Sequence, residues 1–146
     1  MTELITHSVE ETQQFAEKFA KEIQPGDIIT LSGDLGAGKT TFTQGFAKGL
    51  GITQRIISPT FIIARKYRIT DSKLSIAYFY HIDLYRLHKE EEIESVGLSE
   101  IFGEKDAIAV IEWPERLGSL LPKKRWEIKI ESLREDERKI TLDKIS

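Results

Sequence analysis

The chain has no cysteine, which excludes disulfides and thiolate metal sites. No apolar run approaches the roughly 20 residues that a membrane-spanning helix needs, so no membrane association is expected. Met1-Thr2-Glu3-Leu4 offers neither the basic nor the apolar region of a secretory leader, and a cytoplasmic setting is expected. An excess of basic charge is also missing. Lys and Arg total 21 against 24 Asp and Glu, a net charge of −3, which argues against a general nucleic-acid binder. Lys123-Lys124-Arg125, the densest basic cluster, follows Pro122 and reads as a solvated loop. Internal repeats, low-complexity tracts and linkers are absent, so residues 1–146 are expected to form a single domain.

What is present centres on Gly33-Asp34-Leu35-Gly36-Ala37-Gly38-Lys39-Thr40. This stretch fits G-x-x-x-x-G-K-[ST], the phosphate-binding loop of nucleoside triphosphatases. The glycines permit turns that a Cβ would block, so loop amides converge on phosphate oxygens, joined by the free N–H groups of the following helix. Lys39 supplies a mobile charge for the β- and γ-phosphates, and Thr40 a hydroxyl for Mg²⁺. The context is the one the motif requires: Ile28 to Ser32 reads as a strand entering the loop, and Thr40 to Leu50 as a helix leaving it, stopped at Gly51.

Upstream, Ser8 and Glu11 stand at the spacing of a capping box, opening a helix whose Phe15, Ala16, Phe19, Ala20 and Ile23 share one face and which Pro25-Gly26 ends. Ser8 reads first as that cap, and second as a residue lying against the nucleotide. Downstream, Phe42, Phe46 and Leu50 repeat every four residues and are expected to pack on the sheet. Ser58-Pro59-Thr60-Phe61 is either an ordinary turn or a segment that senses a γ-phosphate. Phe61 to Ile69 and Leu74 to Ile82 read as an antiparallel hairpin turning at residues 70–73. Alternation puts His81, Asp83 and Tyr85 on one face; Asp83 there caps the strand end, or positions water beside a phosphate. Lys89 to Ser95 reads as a short charged helix halted near Gly97, and Leu98 to Phe102 as another helical turn.

Ala107-Ile108-Ala109-Val110-Ile111-Glu112 is an unbroken apolar run ending in a carboxylate, the pattern of a buried parallel strand that delivers an acid to the end of the sheet. In phosphate-loop proteins such an acid holds Mg²⁺ or its water. Pro114 suits the first position of a helix. Trp126 to Leu133 and Arg138 to Leu142 read as a second strand pair around Glu135-Asp136-Glu137, with a structural role. The fold expected is α/β: a phosphate-loop mixed sheet, parallel at its core with antiparallel strands added, flanked by helices. Neither an N-K-x-D segment nor a D-x-x-G loop is present, which favours ATP over GTP. Three readings stay open on the residues alone: an ATPase, a small-molecule kinase with Arg65, Lys66 and Arg68 as lid residues, and a nucleotide-gated binding module with negligible hydrolysis.

The phosphate loop with Thr41 and Phe42, Ser58-Pro59-Thr60-Phe61, His81-Ile82-Asp83-Leu84-Tyr85-Arg86 and Glu112-Trp113-Pro114-Glu115, in that order, resemble the TsaE (YjeE) family. That family comprises small bacterial ATPases needed to make threonylcarbamoyladenosine in tRNA. The resemblance implies that residues 33–41 and Ser58 bind ATP, with Ser8 near the base or ribose. It implies that Thr40 and Glu112 hold Mg²⁺, and that Asp83, Lys39 and Thr60 serve hydrolysis, Asp83 being nearest to the attacking water. It further implies TsaD and TsaB as partners, with tRNA reached only through their complex. No arginine finger in cis is evident, since alternation turns Arg86 away, so hydrolysis by the isolated chain is expected to be slow.

Overall fold

In the computed structural model, residues 1–34, 36–56, 64–70, 75–87 and 89–146 are described. Among them, seven strands form one sheet: β1 (Thr2–Thr6), β2 (Ile28–Ser32), β3 (Ala64–Arg68), β4 (Tyr78–Asp83), β5 (Ala107–Glu112), β6 (Arg125–Ser132) and β7 (Arg138–Ile145). The order across the sheet is β1-β7-β6-β2-β5-β4-β3. The middle four strands, β6, β2, β5 and β4, run parallel. β3 on one flank, and β7 and β1 on the other, are antiparallel to their neighbours. This is the mixed sheet that the sequence predicts.

β5 explains the architecture. Its six residues are all buried, as a strand covered on both faces requires. Ile108 and Val110 belong to one core cluster, and Ala107, Ala109 and Ile111 to the other. On the first face lie α1 (Val9–Phe19) and α2 (Lys39–Gly49), whose Phe19, Phe42 and Phe46 are buried among Ile29, Leu31 and Phe79. On the second lie α3 (Glu90–Ser95), α4 (Leu98–Phe102) and a 3-10 segment, Pro114–Leu120, which bury Ile93, Leu98 and Leu117. α2 also rides directly on α1. A Cβ at Gly45 would come 2.4 Å from the Gln13 carbonyl oxygen, and one at Gly49 the same distance from that of Glu17.

Several boundaries differ from expectation for local reasons. The apolar residues of β1, Leu4 and Ile5, are adjacent and give no period-two pattern in the sequence, although Leu4 and Thr6 turn inward along it, and the strand forms by pairing with β7. α1 ends at Phe19 and tightens into a 3-10 turn over Ala20–Glu22 before Pro25 is reached. β4 starts at Tyr78, residue 74 of the expected strand lying outside the described residues, and β7 runs on to Ile145. The turn expected at 70–73 lies outside the described residues except for Thr70. The β3–β4 pair is antiparallel as expected, with Arg65 opposite His81.

Candidate functional site

β2 delivers the chain to the loop at Ser32. Gly33 lies against β6, where a Cβ would meet the Ile130 carbonyl oxygen at 2.5 Å, so a side chain there would push the loop off the sheet. Ala37 N–H donates to Asp34 O at 3.0 Å. Gly38 caps α2 with φ 106°, a left-handed conformation that disfavours any side chain. Thr43 Oγ1 donates to Lys39 O at 2.9 Å, closing the first helical turn. The side chain of Thr40 is exposed and Thr41 half-buried. Beside the loop, a groove of about 470 Å³ is lined by Ser32, Gly33, Asp34, Ala37, Trp113 and Lys129, among others. Leu35 lies outside the described residues, as do Ser58, Thr60 and the rest of that motif.

The acids arrive by parity. In β5, Ile108 and Val110 face α2, so Glu112 falls on the same face. In β4, Phe79 belongs to that cluster, so His81 and Asp83 follow it. Parallel register then sets Asp83 against Glu112. His81 Nε2 lies 2.6 Å from Glu112 Oε2, with the ring fully buried and the carboxylate only 4% exposed. An imidazole nitrogen facing a carboxylate oxygen donates to it. Glu112 is therefore a buried acid at the end of β5.

Asp83 is half-buried, and its Oδ1 accepts from Tyr85 N–H at 3.0 Å. Burial pushes its carboxyl above the ordinary range, and the neighbouring charge of Glu112 pushes the same way. The Tyr85 N–H, His81 and Lys39 oppose that shift. Tyr85 does not continue the alternation. β4 ends at Asp83, and Tyr85 stands in the turn that Asp83 caps.

Lys39 is buried, with its Nζ 4.3 Å from the Trp113 ring centroid. Trp113 is the sole non-glycine residue with positive φ among those described, at 59°. This left-handed conformation costs about 1–2 kcal/mol. The turn brings the indole against both the Lys39 ammonium and the Tyr85 ring, whose centroid is 5.1 Å away with the two rings tilted by 53°. The sequence marks Trp113 only as part of a motif and says nothing of this stacking.

Ser8 caps α1, its Oγ accepting from Glu11 N–H at 3.1 Å. The reciprocal bond is displaced by one residue, Glu11 Oε2 accepting from His7 N–H. Ser8 also lines a narrow cleft with Thr12, Gly38, Thr41, Asp136 and Arg138, which brings the helix start to the phosphate loop. Arg138 is the residue that sequence reasoning passed over. Its Nε donates to Ala37 O at 2.8 Å, so the C-terminal strand pair reaches the loop. An arginine bonded to backbone carbonyls leaves no pattern to read.

The donors gathered here suit a hard divalent cation with a polyphosphate. The carboxylates of Asp83 and Glu112, set in register on neighbouring strands, are oxygen donors, and two adjacent carboxylates leave negative charge that a cation would offset; the exposed Thr40 hydroxyl at the start of α2 is a further oxygen donor. Among the described residues, no cluster of three or more His, Asp or Glu side chains forms a metal cage by itself. Also among the described residues, no helix is long and apolar enough to cross a membrane.

Comparison with known proteins bears on the same segments. Residues 6–140 match the family model described as Threonylcarbamoyl adenosine biosynthesis protein TsaE. A relative from Bacillus subtilis (strain 168), named tRNA threonylcarbamoyladenosine biosynthesis protein TsaE, is 46% identical over 93% of this chain and 81% of its own length. Proteins of the same name from Rickettsia bellii and Treponema pallidum are 38% and 34% identical, each over 94% of this chain and over 91% and 97% of their own lengths. The crystal structure of Bacillus subtilis YdiB superposes with a TM-score of 0.81 and 36% identity, covering 99% of this chain and 86% of that one.

Proposed function

Since the chain belongs to the TsaE family of threonylcarbamoyl adenosine biosynthesis proteins, we propose that it binds and hydrolyses ATP with Mg²⁺ and acts on the TsaD–TsaB complex in tRNA modification. The observation that carries the hydrolytic part is the convergence of Lys39 with Asp83 and Glu112 at the ends of parallel strands, beside the phosphate loop. A bare phosphate-binding turn would need none of these acids.

Mechanistically, the loop amides and the N-terminus of α2 bind the phosphates. Lys39 faces the β- and γ-phosphates. Glu112 and Thr40 would hold Mg²⁺, which would supply charge neutralisation at the phosphates. His81 keeps one oxygen of Glu112 engaged and so fixes the direction of the other. Asp83 orients the attacking water, its carboxylate lying near Lys39 and Glu112. By the family resemblance Ser58 and Thr60, which lie outside the described residues, serve the γ-phosphate, and Ser8 serves the ribose or base. Positioning and charge suffice, since phosphoryl transfer asks little covalent chemistry of the protein.

The test is phosphate release from ATP by the purified chain, alone and with purified TsaB and TsaD. Slow release that rises on adding both partners supports the reading. Release that the partners leave unchanged would overturn the partner assignment, and phosphate appearing on an acceptor molecule would replace hydrolysis by kinase chemistry.

A further inference from the structure

The acids approach the phosphate loop from the β4–β5 side; Arg138 approaches it from the β6–β7 side. Its guanidinium ties two pieces of backbone together. Nε donates to Ala37 O at 2.8 Å. Nη1 donates to the carbonyls of Glu137 at 2.9 Å and of Arg134 and Glu135 at 3.1 Å. Nη1 has two hydrogens, so the three carbonyls of the turn share them. A planar fork with donors in several directions can hold both loops at once, and an ammonium on a flexible stem cannot.

The acceptor on the phosphate loop is what gives this clamp its consequence. Ala37 O belongs to the peptide whose N–H is that of Gly38. In a planar trans peptide, C=O and N–H point in opposite directions. Holding the carbonyl on Arg138 therefore turns the Gly38 N–H to the far side of the loop. Gly38 has no side chain to cap α2, and its φ of 106° is open to a glycine but not dictated by it. Something outside the loop must set that peptide.

We propose that Arg138 is a positioning residue of the phosphate site, orienting the Ala37–Gly38 peptide so that the cradle is formed before nucleotide arrives. The proposal rests on the nucleotide-binding reading above and deepens it. A preformed cradle binds any polyphosphate more tightly, because less order is lost on binding. The hydrolytic groups on the other side of the loop are not touched.

The experiment uses the full chain as wild type, Arg138→Ala, Arg138→Lys and Lys39→Ala. ATP and ADP affinities are measured by calorimetry, together with phosphate release, thermal melts and backbone amide spectra in the absence of nucleotide. Arg138→Ala is expected to weaken ATP and ADP alike by about tenfold, and Arg138→Lys not to restore them. Saturating ATP is expected to bring the rate back to that of wild type, so KM rises and kcat holds. The Gly38 amide resonance is expected to shift or broaden in both Arg138 variants. A folded Arg138→Ala protein with unchanged affinity and an unchanged Gly38 resonance would overturn the proposal. If neither Arg138 variant folds, the Arg138 Nε–H resonance of the wild type decides. Slow exchange without nucleotide upholds the clamp, and exchange as fast as that of an exposed arginine refutes it. Wild type that binds no ATP would instead sink the nucleotide reading itself. Wild type that binds, beside a Lys39→Ala that does not and an Arg138→Ala that binds normally, would sink the positioning role alone.

Discussion

The two flanks of the phosphate loop are built from different chemistry. On the β4–β5 side stand His81, Asp83 and Glu112, three titratable groups in contact or near contact, one fully buried and one nearly so. On the β6–β7 side stands Arg138, whose hydrogen-bond partners among the described residues are all backbone carbonyls. The first flank brings charge that can change with protonation and with cation binding. The second brings permanent charge and fixed direction. Phosphoryl transfer needs both, because charge neutralisation acts only on phosphates held in line.

Substitutions at the loop and at the first flank should separate binding from chemistry. Lys39→Ala has the largest expected effect: ATP affinity and phosphate release both fall by about a hundredfold or more, since the charge facing the phosphates is gone. Calorimetry and a release assay check it, and unchanged affinity would remove the loop assignment. Asp83→Ala is next. ATP affinity should stay near that of wild type while release drops by about a hundredfold. Loss of binding instead would place Asp83 among the ligands of phosphate or cation, and erase the division between the flank that holds and the flank that reacts.

The difference between the flanks also decides what a reader of the sequence can see. Glu112 is legible because a carboxylate ending five small or apolar residues has few bland explanations, and parity along β5 then carries it to the α2 face. Asp83 is legible by the same alternation along β4, though the strand stops before Tyr85. The phosphate loop, α2 and α4 announce themselves through glycine placement and periodicity. β1 does not, because its pairing with β7 is a long-range choice that Thr2 to Thr6 do not encode locally. Arg138 is illegible for a related reason. Its function is set by which carbonyls the fold places around it, and sequence spacing does not report a contact across 101 positions. The stacking of Trp113 on Lys39 likewise needs a positive φ that no non-glycine residue advertises.

Glu112→Gln tests how far the acid flank depends on charge and how far on shape. The amide is nearly isosteric and keeps an oxygen that can accept from His81. Affinity for ATP without Mg²⁺ should be unchanged, and the gain that Mg²⁺ confers should shrink by about tenfold. A titration of Mg²⁺ at fixed ATP checks this. Full retention of the Mg²⁺ effect would leave Glu112 as a buried hydrogen-bond partner of His81 and nothing more.

The smallest effect is the one that sharpens the comparison most. The Asp83 carboxyl is raised above its ordinary range, chiefly by burial and then by the charge of Glu112. The folded protein therefore binds that proton more tightly than the unfolded chain does. Stability from this group is fully present below the unfolded carboxylate pKa, near 3.9, and is lost as pH rises through the raised folded value. Asp83→Asn never ionises, and its Oδ1 can still accept from Tyr85 N–H. It should melt above wild type at neutral pH, by on the order of a few tenths of a kcal/mol because a half-exposed charge is screened. The advantage should vanish as pH falls towards 4. Arg138→Lys, which keeps a positive charge on the β6–β7 flank, should show no such dependence. Parallel melts of the two variants from neutral pH down to about 4 would read both flanks. A pH-independent gain in Asp83→Asn, or one that grew on acidification, would mean that ionised Asp83 is not strained in the free protein, and the contrast between a titratable flank and a fixed one would be gone.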